Sequence, residues 1–118
     1  MPRRVERTRN GGKWTEARYF GFIRSALRSA FTRWQPKHEA KAAAKVAYNT
    51  YVCAQCDGWF STKEVEVDHI VPAGSLRKYD DLPGFVERMF CEADGFQILC
   101  KECHQAKTNA EKAARRKK

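Results

Sequence analysis

The stretch FQILCKECH, residues 96–104, joins a short apolar run to a pair of cysteines. The apolar part, residues 96–99, is ambiguous between a strand and a turn. Residues 101–116 follow with Ala, Lys and Glu throughout, and this composition predicts a helix that closes the chain. Cys100 and Cys103 are therefore predicted to lie where a short apolar segment meets a helix.

A second pair, Cys53 and Cys56, has the same CxxC spacing, and 43 residues separate it from Cys100. Two residues between cysteines let both thiolates of a pair reach one metal ion at about 2.3 Å with tetrahedral geometry. The two pairs together predict a structural Zn²⁺ site. A plain zinc ribbon has only about 15 to 20 residues between its pairs, so we expect the longer interval here to carry a function. The fifth cysteine, Cys91, is predicted to be a small buried apolar residue.

Two alternatives to zinc stay open. Two disulfides would use the same cysteines, although a cytosolic thiol pool keeps such pairs reduced. Cys100 to His104 also matches the CxxCH pattern of c-type haem attachment, which requires export from the cytoplasm. The first residues, MPRRVER, have no apolar run behind their charges, as a secretory signal would. We therefore expect a cytoplasmic protein, and no stretch reaches the roughly 18 apolar residues of a membrane span.

The charge of the 118-residue chain is concentrated at its two ends. Residues 1–37 carry +8, residues 38–106 carry −4 and residues 107–118 carry +5, within a total of +9. A balance of this kind favours a polyanionic partner, and nucleic acid is the first candidate. Solvated, frayed termini are the alternative.

The N-terminal part is predicted to be a flexible arm followed by helices. Residues 1–13 contain several arginines and Asn-Gly-Gly, which is typical of an arm. Thr15 is a candidate N-cap for an amphipathic helix, and Pro36 ends or bends it. Residues 37–48, rich in Ala and Lys, predict a second helix. The apolar stripe of the first helix recurs at three- and four-residue steps, in Tyr19, Phe20, Phe22, Ile23, Ala26, Leu27, Ala30, Phe31 and Trp34.

Short elements are predicted from residue 51 onward. Residues 51–53 and 59–61 are predicted to be strands around a tight turn. Residues 65–68 alternate and contain β-branched side chains, which predicts another strand ending near His69. A short buried helix is predicted to begin near Pro83.

Three segments carry a resemblance to a known family. They are EVDHIVP at residues 66–72, QILCKECH at residues 97–104 and Lys107-Thr108. The sequence resembles the HNH endonucleases, and most closely the small zinc-containing HNH proteins encoded by tailed bacteriophages. The resemblance covers residues 51–112.

The resemblance implies an α+β fold with a ββα-metal core. Its hairpin would be built from residues 65–68 and 96–99, its helix would be residues 101–116, and the cysteine zinc would hold the pieces together. Residues 51–118 would form this HNH domain, and residues 1–50 a basic arm and helical extension.

The implied activity is metal-dependent hydrolysis of DNA phosphodiester bonds. His69 would be the general base, because an imidazole with a pKa of about 6.5 is largely neutral at pH 7 and can accept a proton from water. Asp68 and His104 would hold one catalytic divalent cation, Mg²⁺, Mn²⁺ or another, which stabilises charge on the phosphate oxygens. A zinc-stabilised nucleic-acid-binding module without catalysis is the alternative.

The sequence departs from the family at the middle letter of the motif. The family's Asn lies five residues before the third cysteine, where this chain has Gly95, preceded by Asp94. In the family this Asn fixes the loop that orients the base, or helps to bind the cation. Asp94 is a candidate substitute and a further cation ligand, whereas a turn-forming Asp-Gly pair is the alternative.

DNA is the predicted partner, and basic residues are predicted to contact its phosphates. A phage terminase is a further candidate partner, and the chain is expected to be a monomer or a weak dimer in the host cytoplasm. For Lys107 an ordinary surface lysine is the alternative. The predicted contacts are Arg24, Arg28, Arg33, Lys101 and Lys107.

Overall fold

The structure, a computed structural model, describes residues 5–116. Helices and short strands alternate along the chain, which confirms the mixed α+β class, whereas the ββα-metal core stays a prediction. The elements are β1 (Arg7–Arg9), β2 (Trp14–Thr15), α1 (Glu16–Phe31), α2 (Gln35–Ala43), β3 (Lys45–Ala47), β4 (Thr50–Val52), β5 (Trp59–Phe60), β6 (Val65–His69), α3 (Leu82–Met89), β7 (Phe96–Cys100) and α4 (Lys101–Arg116).

The described residues form two compact units. One contains residues 5–34 and 72–90, and the other contains residues 35–71 and 91–116. The predicted boundary at residue 50 separates a basic extension from a nuclease domain. It divides the chain by function, and it stays a prediction.

In the first unit, α1 packs its apolar face against α3 and the segment before it. The hydroxyl of Thr15 accepts a hydrogen bond from the backbone N–H of Arg18, at 3.2 Å, which confirms the predicted N-cap. The predicted apolar stripe of α1 is too wide, because it includes Phe22, which is 60% exposed. Burial of each large core side chain contributes about 1.5–3 kcal/mol; these side chains are Phe20, Leu76, Phe85 and Met89.

The prediction of a flexible arm is wrong for residues 5–13, the part of it that the structure describes. β1 pairs with β2 in an antiparallel hairpin, and the turn between them passes through Asn10, Gly11 and Gly12 with φ of 52°, 65° and 80°. Glycine and asparagine accept this left-handed backbone at little cost, so the residues that suggested flexibility instead make a turn. Residues 1–4 of the predicted arm lie outside the described residues.

In the second unit, the helix predicted for residues 37–48 ends earlier. α2 stops at Ala43, and β3 then pairs with β4, which pairs in turn with β5 in an antiparallel sheet. Asn49 takes a left-handed φ of 48° in the turn between β3 and β4. Strand pairing therefore overrides the helix propensity of these alanines and lysines.

β6 and β7 pair antiparallel over their whole length, and α4 follows β7 directly. The register places Asp68 opposite Gln97 and His69 opposite Phe96. This confirms the predicted strand before His69 and the helix at residues 101–116, and it resolves residues 96–99 as a strand. Among residues 5–116, no helix combines the length and apolar character needed to cross a membrane.

Candidate functional site

Four cysteines of the second unit come together although 43 residues separate the two pairs in sequence. Their Sγ atoms all lie within 4.8 Å of one another, and those of Cys56 and Cys100 are 4.0 Å apart. Cys53 and Cys100 are buried, while Cys56 is exposed. Cys53 follows β4, and Cys100 and Cys103 lie at the junction of β7 and α4. These four residues, Cys53, Cys56, Cys100 and Cys103, form the cysteine cluster.

The cysteine cluster fits one tetrahedral metal ion such as zinc. With Zn–S bonds of about 2.3 Å, the four sulfur atoms would be about 3.8 Å apart, close to the separations found here. All four donors are thiols, the ligand type of structural zinc sites. The prediction of a four-cysteine metal-binding site is therefore confirmed in its geometry.

The turn that carries Cys53 and Cys56 has the shape needed to aim two thiols at one point. Asp57 takes a left-handed φ of 62°, and the backbone N–H of Cys53 donates to the carbonyl of Gly58 at 2.9 Å. A Cβ at Gly58 would lie 2.8 Å from the ring of Phe60, so any larger residue there requires that ring to move. The N–H of Ala54 donates to the carbonyl of Ile98, which fixes the turn to β7.

The thiols of the cysteine cluster differ in acidity. Burial is the largest influence on Cys53 and raises its pKa, but hydrogen bonds from backbone groups of Cys100, Cys56 and Gln55 outweigh it and lower the pKa to about 6. The hydrogen bond with Cys100, followed by burial, raises the pKa of Cys103 to about 12. Because a metal binds thiolates, loading the cluster releases protons.

A second group of polar side chains lies where β6 faces the first turns of α4. Asp68 is buried, with 9% of its surface exposed, and its Oδ2 accepts a hydrogen bond from Gln97 Nε2 at 3.0 Å. His104 Nε2 lies 3.6 Å from Asp68 Oδ1, and His104 Nδ1 lies 2.7 Å from Glu66 Oε2. Glu66, Asp68, His104 and Lys107 are called the Asp68 cluster.

Lys107 contributes the positive charge of the Asp68 cluster. Its Nζ lies 2.9 Å from Asp68 Oδ2 and 3.0 Å from Glu111 Oε2, and it donates to the carbonyl of His69 at 2.8 Å. Burial is the largest influence on the Lys107 pKa and lowers it, but the hydrogen bonds to Asp68 and Glu111 prevail and raise it. In this structure the ammonium therefore binds protein oxygens.

Two members of the Asp68 cluster, Asp68 and His104, are of residue types that can bind a divalent cation. Two atoms that bind one cation at about 2.1 Å are about 3.0 Å apart in octahedral geometry and about 3.4 Å apart in tetrahedral geometry. The 3.6 Å between Asp68 Oδ1 and His104 Nε2 is slightly longer than either.

His69 is placed by β6, which ends at this residue. Its ring packs edge-on against Phe96, with 5.0 Å between ring centroids. Neighbouring residues of a strand point to opposite faces, so Asp68 and His69 leave β6 in different directions. The backbone N–H of Ile70 donates to the carbonyl of Gly95 at 3.0 Å, which holds the chain just after His69.

Gly95 stands at the position where the HNH endonucleases that the sequence resembles have Asn, and the space beside it is filled. A Cβ at position 95 would lie 2.5 Å from Cys91 Sγ and 3.1 Å from Cys91 Cβ. Cys91 is half-buried, and burial raises the pKa of its thiol. Asp94 is exposed in the 3₁₀ turn Ala93–Gly95. The Gly95 carbonyl, by accepting the hydrogen bond of the Ile70 N–H, restrains the loop after His69.

The residues predicted to contact DNA lie in both units. Arg24 is half-buried and Arg28 exposed on α1, and Arg33 is exposed just after it. Lys101 is exposed at the start of α4, whereas Lys107 is directed into the Asp68 cluster. The phosphate contacts of all five stay predictions.

Sequence reasoning missed three side chains of this site. Glu66 lies two positions before Asp68 and so on the same face of β6, a signal that was available in the sequence. Glu111 lies four residues after Lys107 on α4, which is also a recognisable spacing. Gln97 is placed by the register of β6 and β7, which sequence alone does not give.

Comparison with protein-family models, curated proteins and solved structures gave no match.

Proposed function

We propose that this chain is a metal-dependent endonuclease that hydrolyses phosphodiester bonds of DNA. The observation that carries the proposal is the 3.6 Å distance between Asp68 Oδ1 and His104 Nε2. Asp68 lies on β6, and His104 lies on α4, the helix that follows the paired strand β7. A carboxylate and an imidazole are suitable ligands for a catalytic cation. The arrangement agrees with the expectation from the HNH-like sequence motifs.

In this proposal, Asp68 and His104 hold the cation, and Gln97 and Lys107 orient the Asp68 carboxylate. The cation, Mg²⁺ or Mn²⁺, supplies positive charge to the phosphate oxygens when bound. His69 accepts a proton from the attacking water through its imidazole, and packing against Phe96 limits the orientations of that ring. The carbonyl of Gly95 restrains the loop that begins after His69.

The cysteine cluster has a structural role in this proposal. Zn²⁺ bound there would join the turn after β4 to the junction between β7 and α4. His104 follows Cys103 directly in sequence, so a fixed cluster also fixes the position of His104. The structural zinc would thereby hold His104 in place without taking part in the reaction.

One observation favours the alternative of a DNA-binding module without catalysis. The ammonium of Lys107 already compensates the charge of Asp68, at 2.9 Å from Oδ2. A chain that uses this ion pair only for stability needs no catalytic cation. The alternative predicts DNA binding that Mg²⁺ and Mn²⁺ do not turn into cleavage.

Conversion of supercoiled plasmid DNA by the zinc-loaded protein, with and without Mg²⁺ or Mn²⁺, tests the proposal. We expect cation-dependent nicking or linearisation by the wild type, and none by His69→Ala. DNA affinity of the variant should be nearly unchanged, because a general base acts in the transition state. His38→Ala, which removes an exposed histidine of α2, is the matched control and should cut like the wild type. Wild-type binding without cleavage in either cation would support the alternative, and cutting by His69→Ala at the wild-type rate would disprove the assigned base.

A further inference from the structure

We propose that Glu66 is a positioning residue that fixes the tautomer and orientation of His104, so that the lone pair of Nε2 points at Asp68. The effect on cation binding rests on the proposed function. The tautomer itself is a property of the folded chain and can be measured without DNA.

The register of β6 brings two carboxylates to one edge of a single imidazole. Glu66 and Asp68 are two positions apart and project from the same face of the strand. His104, in the first turn of α4, spans them, with Nδ1 2.7 Å from Glu66 Oε2 and Nε2 3.6 Å from Asp68 Oδ1. The contact with Glu66 is the shorter by 0.9 Å.

The short contact determines where the ring proton lies. An ionised carboxylate only accepts hydrogen bonds, so a nitrogen 2.7 Å from it must carry the hydrogen. A neutral imidazole has one N–H, and its other nitrogen keeps a lone pair. Glu66 therefore selects the Nδ1–H form of His104, and Nε2 becomes the atom able to bind a cation.

The carboxylates of this site have separate partners. Asp68 Oδ2 is occupied by Gln97 and Lys107, which leaves Oδ1 toward His104. The Glu66 side chain is 46% exposed, so its truncation removes little packing. Such outer carboxylates commonly account for 10- to 100-fold of the affinity of a metal site.

The tautomer can be read by long-range ¹H–¹⁵N correlation of ¹⁵N-histidine-labelled, zinc-loaded protein at about pH 8, without Mg²⁺ or Mn²⁺. We expect His104 to carry its proton on Nδ1 in the wild type. Glu66→Ala should shift it to Nε2, the favoured form of a free histidine in water. Glu66→Gln should restore the Nδ1–H form in part, since the amide oxygen also accepts. Glu39→Ala, a loss of the same charge at an exposed position of α2, is the control and should leave His104 unchanged.

Mn²⁺ binding, followed by electron paramagnetic resonance of the free ion, provides the second measurement. We expect Glu66→Ala to weaken binding 10- to 100-fold, Glu66→Gln to weaken it less, and Glu39→Ala to leave it within about twofold. A proton on Nε2 or on both nitrogens in the wild type, or an Nδ1–H form that persists in Glu66→Ala, would overturn the proposal. If the tautomer responds as expected and plasmid is not cut, the endonuclease assignment fails and the role of Glu66 stands.

Discussion

Position 95, where the HNH endonucleases that the sequence resembles have Asn, is a glycine with a cysteine side chain packed against it. The Cys91 thiol occupies the space next to Gly95, and the Gly95 carbonyl binds the N–H of Ile70. An asparagine does not fit there unless Cys91 moves. The backbone restraint on the loop after His69 is therefore independent of the side chain at position 95.

Gly95→Ala is expected to destabilise the folded chain by about 1–3 kcal/mol, because its Cβ would overlap Cys91. Cys91→Ala in the same chain should recover part of the loss, since it removes the Sγ atom but leaves Cβ. Denaturant unfolding of the zinc-loaded protein measures both. Gly21→Ala on α1 is the control: its Cβ meets nothing closer than 3.8 Å, and we expect a gain of about 0.5–1 kcal/mol. If the changes in unfolding free energy caused by Gly95→Ala and Cys91→Ala simply add in the double variant, the overlap is excluded.

At the scale of elements, β6 is entered through a capped 3₁₀ turn. The turn Thr62–Glu64 is closed by Glu64 Oε1, which accepts from the backbone N–H of Ser61 at 3.0 Å and from its hydroxyl at 2.9 Å. The backbone hydrogen bond, followed by that of the hydroxyl, lowers the pKa of Glu64 below its usual 4.5. The contact therefore favours the ionised carboxylate.

Glu64 is expected to make part of the folding stability depend on acid pH. Because the pKa of Glu64 is lower in the folded state than in the unfolded state, its ionised form contributes to the free energy of unfolding. This contribution is full above the unfolded-state pKa of 4.5 and is lost as the pH falls through the folded-state pKa. Glu64→Gln keeps an acceptor oxygen but cannot titrate. Denaturant unfolding of both proteins from pH 7 to pH 3 should show the stability difference between them shrinking below about pH 4.5. A constant difference over this range would contradict the role of the cap.

On α1, the double variant Arg24→Gln, Arg28→Gln is expected to bind unrelated DNA sequences more weakly. Each phosphate contact that is lost should lower the slope of log affinity against log salt by about 0.9. Zinc content and circular dichroism should not change. Fluorescence anisotropy at several salt concentrations measures the slope, and a slope equal to that of the wild type would mean that these arginines do not contact DNA.

The elements around the site were largely predictable, because local signals and pairing agree there. Residues 65–68 alternate, and the composition of residues 101–116 favours a helix, so both predictions hold. Residues 45–47 look helical, yet they pair with β4, an interaction that no local pattern contains. The resemblance also predicted that Asp68 and His104 lie close together, as they do. The position of Lys107, in contrast, depends on packing between β6 and α4.

At the scale of the whole molecule, a single metal is expected to hold the second unit together. Wild-type protein should contain one zinc per chain, and removal of the metal should abolish cooperative unfolding. Cys56→Ser and Cys103→Ser should lose the zinc, while Cys91→Ala, outside the cysteine cluster, should keep it. Elemental analysis of reduced, purified proteins measures this. A folded wild-type protein without zinc, or zinc loss in Cys91→Ala alone, would contradict the assignment.

The interleaved order of the two units has a consequence for biosynthesis. All residues of the first unit have been synthesised once residue 90 is added, whereas the second unit then still lacks β7, α4 and two of the four thiols of the cysteine cluster. At roughly 5 to 20 residues per second, Cys56 waits about two to nine seconds for Cys103. During this interval Cys53 and Cys56 form only a half-site, open to oxidation and to the wrong metal. The nascent chain therefore passes through a state in which all residues of the first unit are present but the cysteine cluster is incomplete.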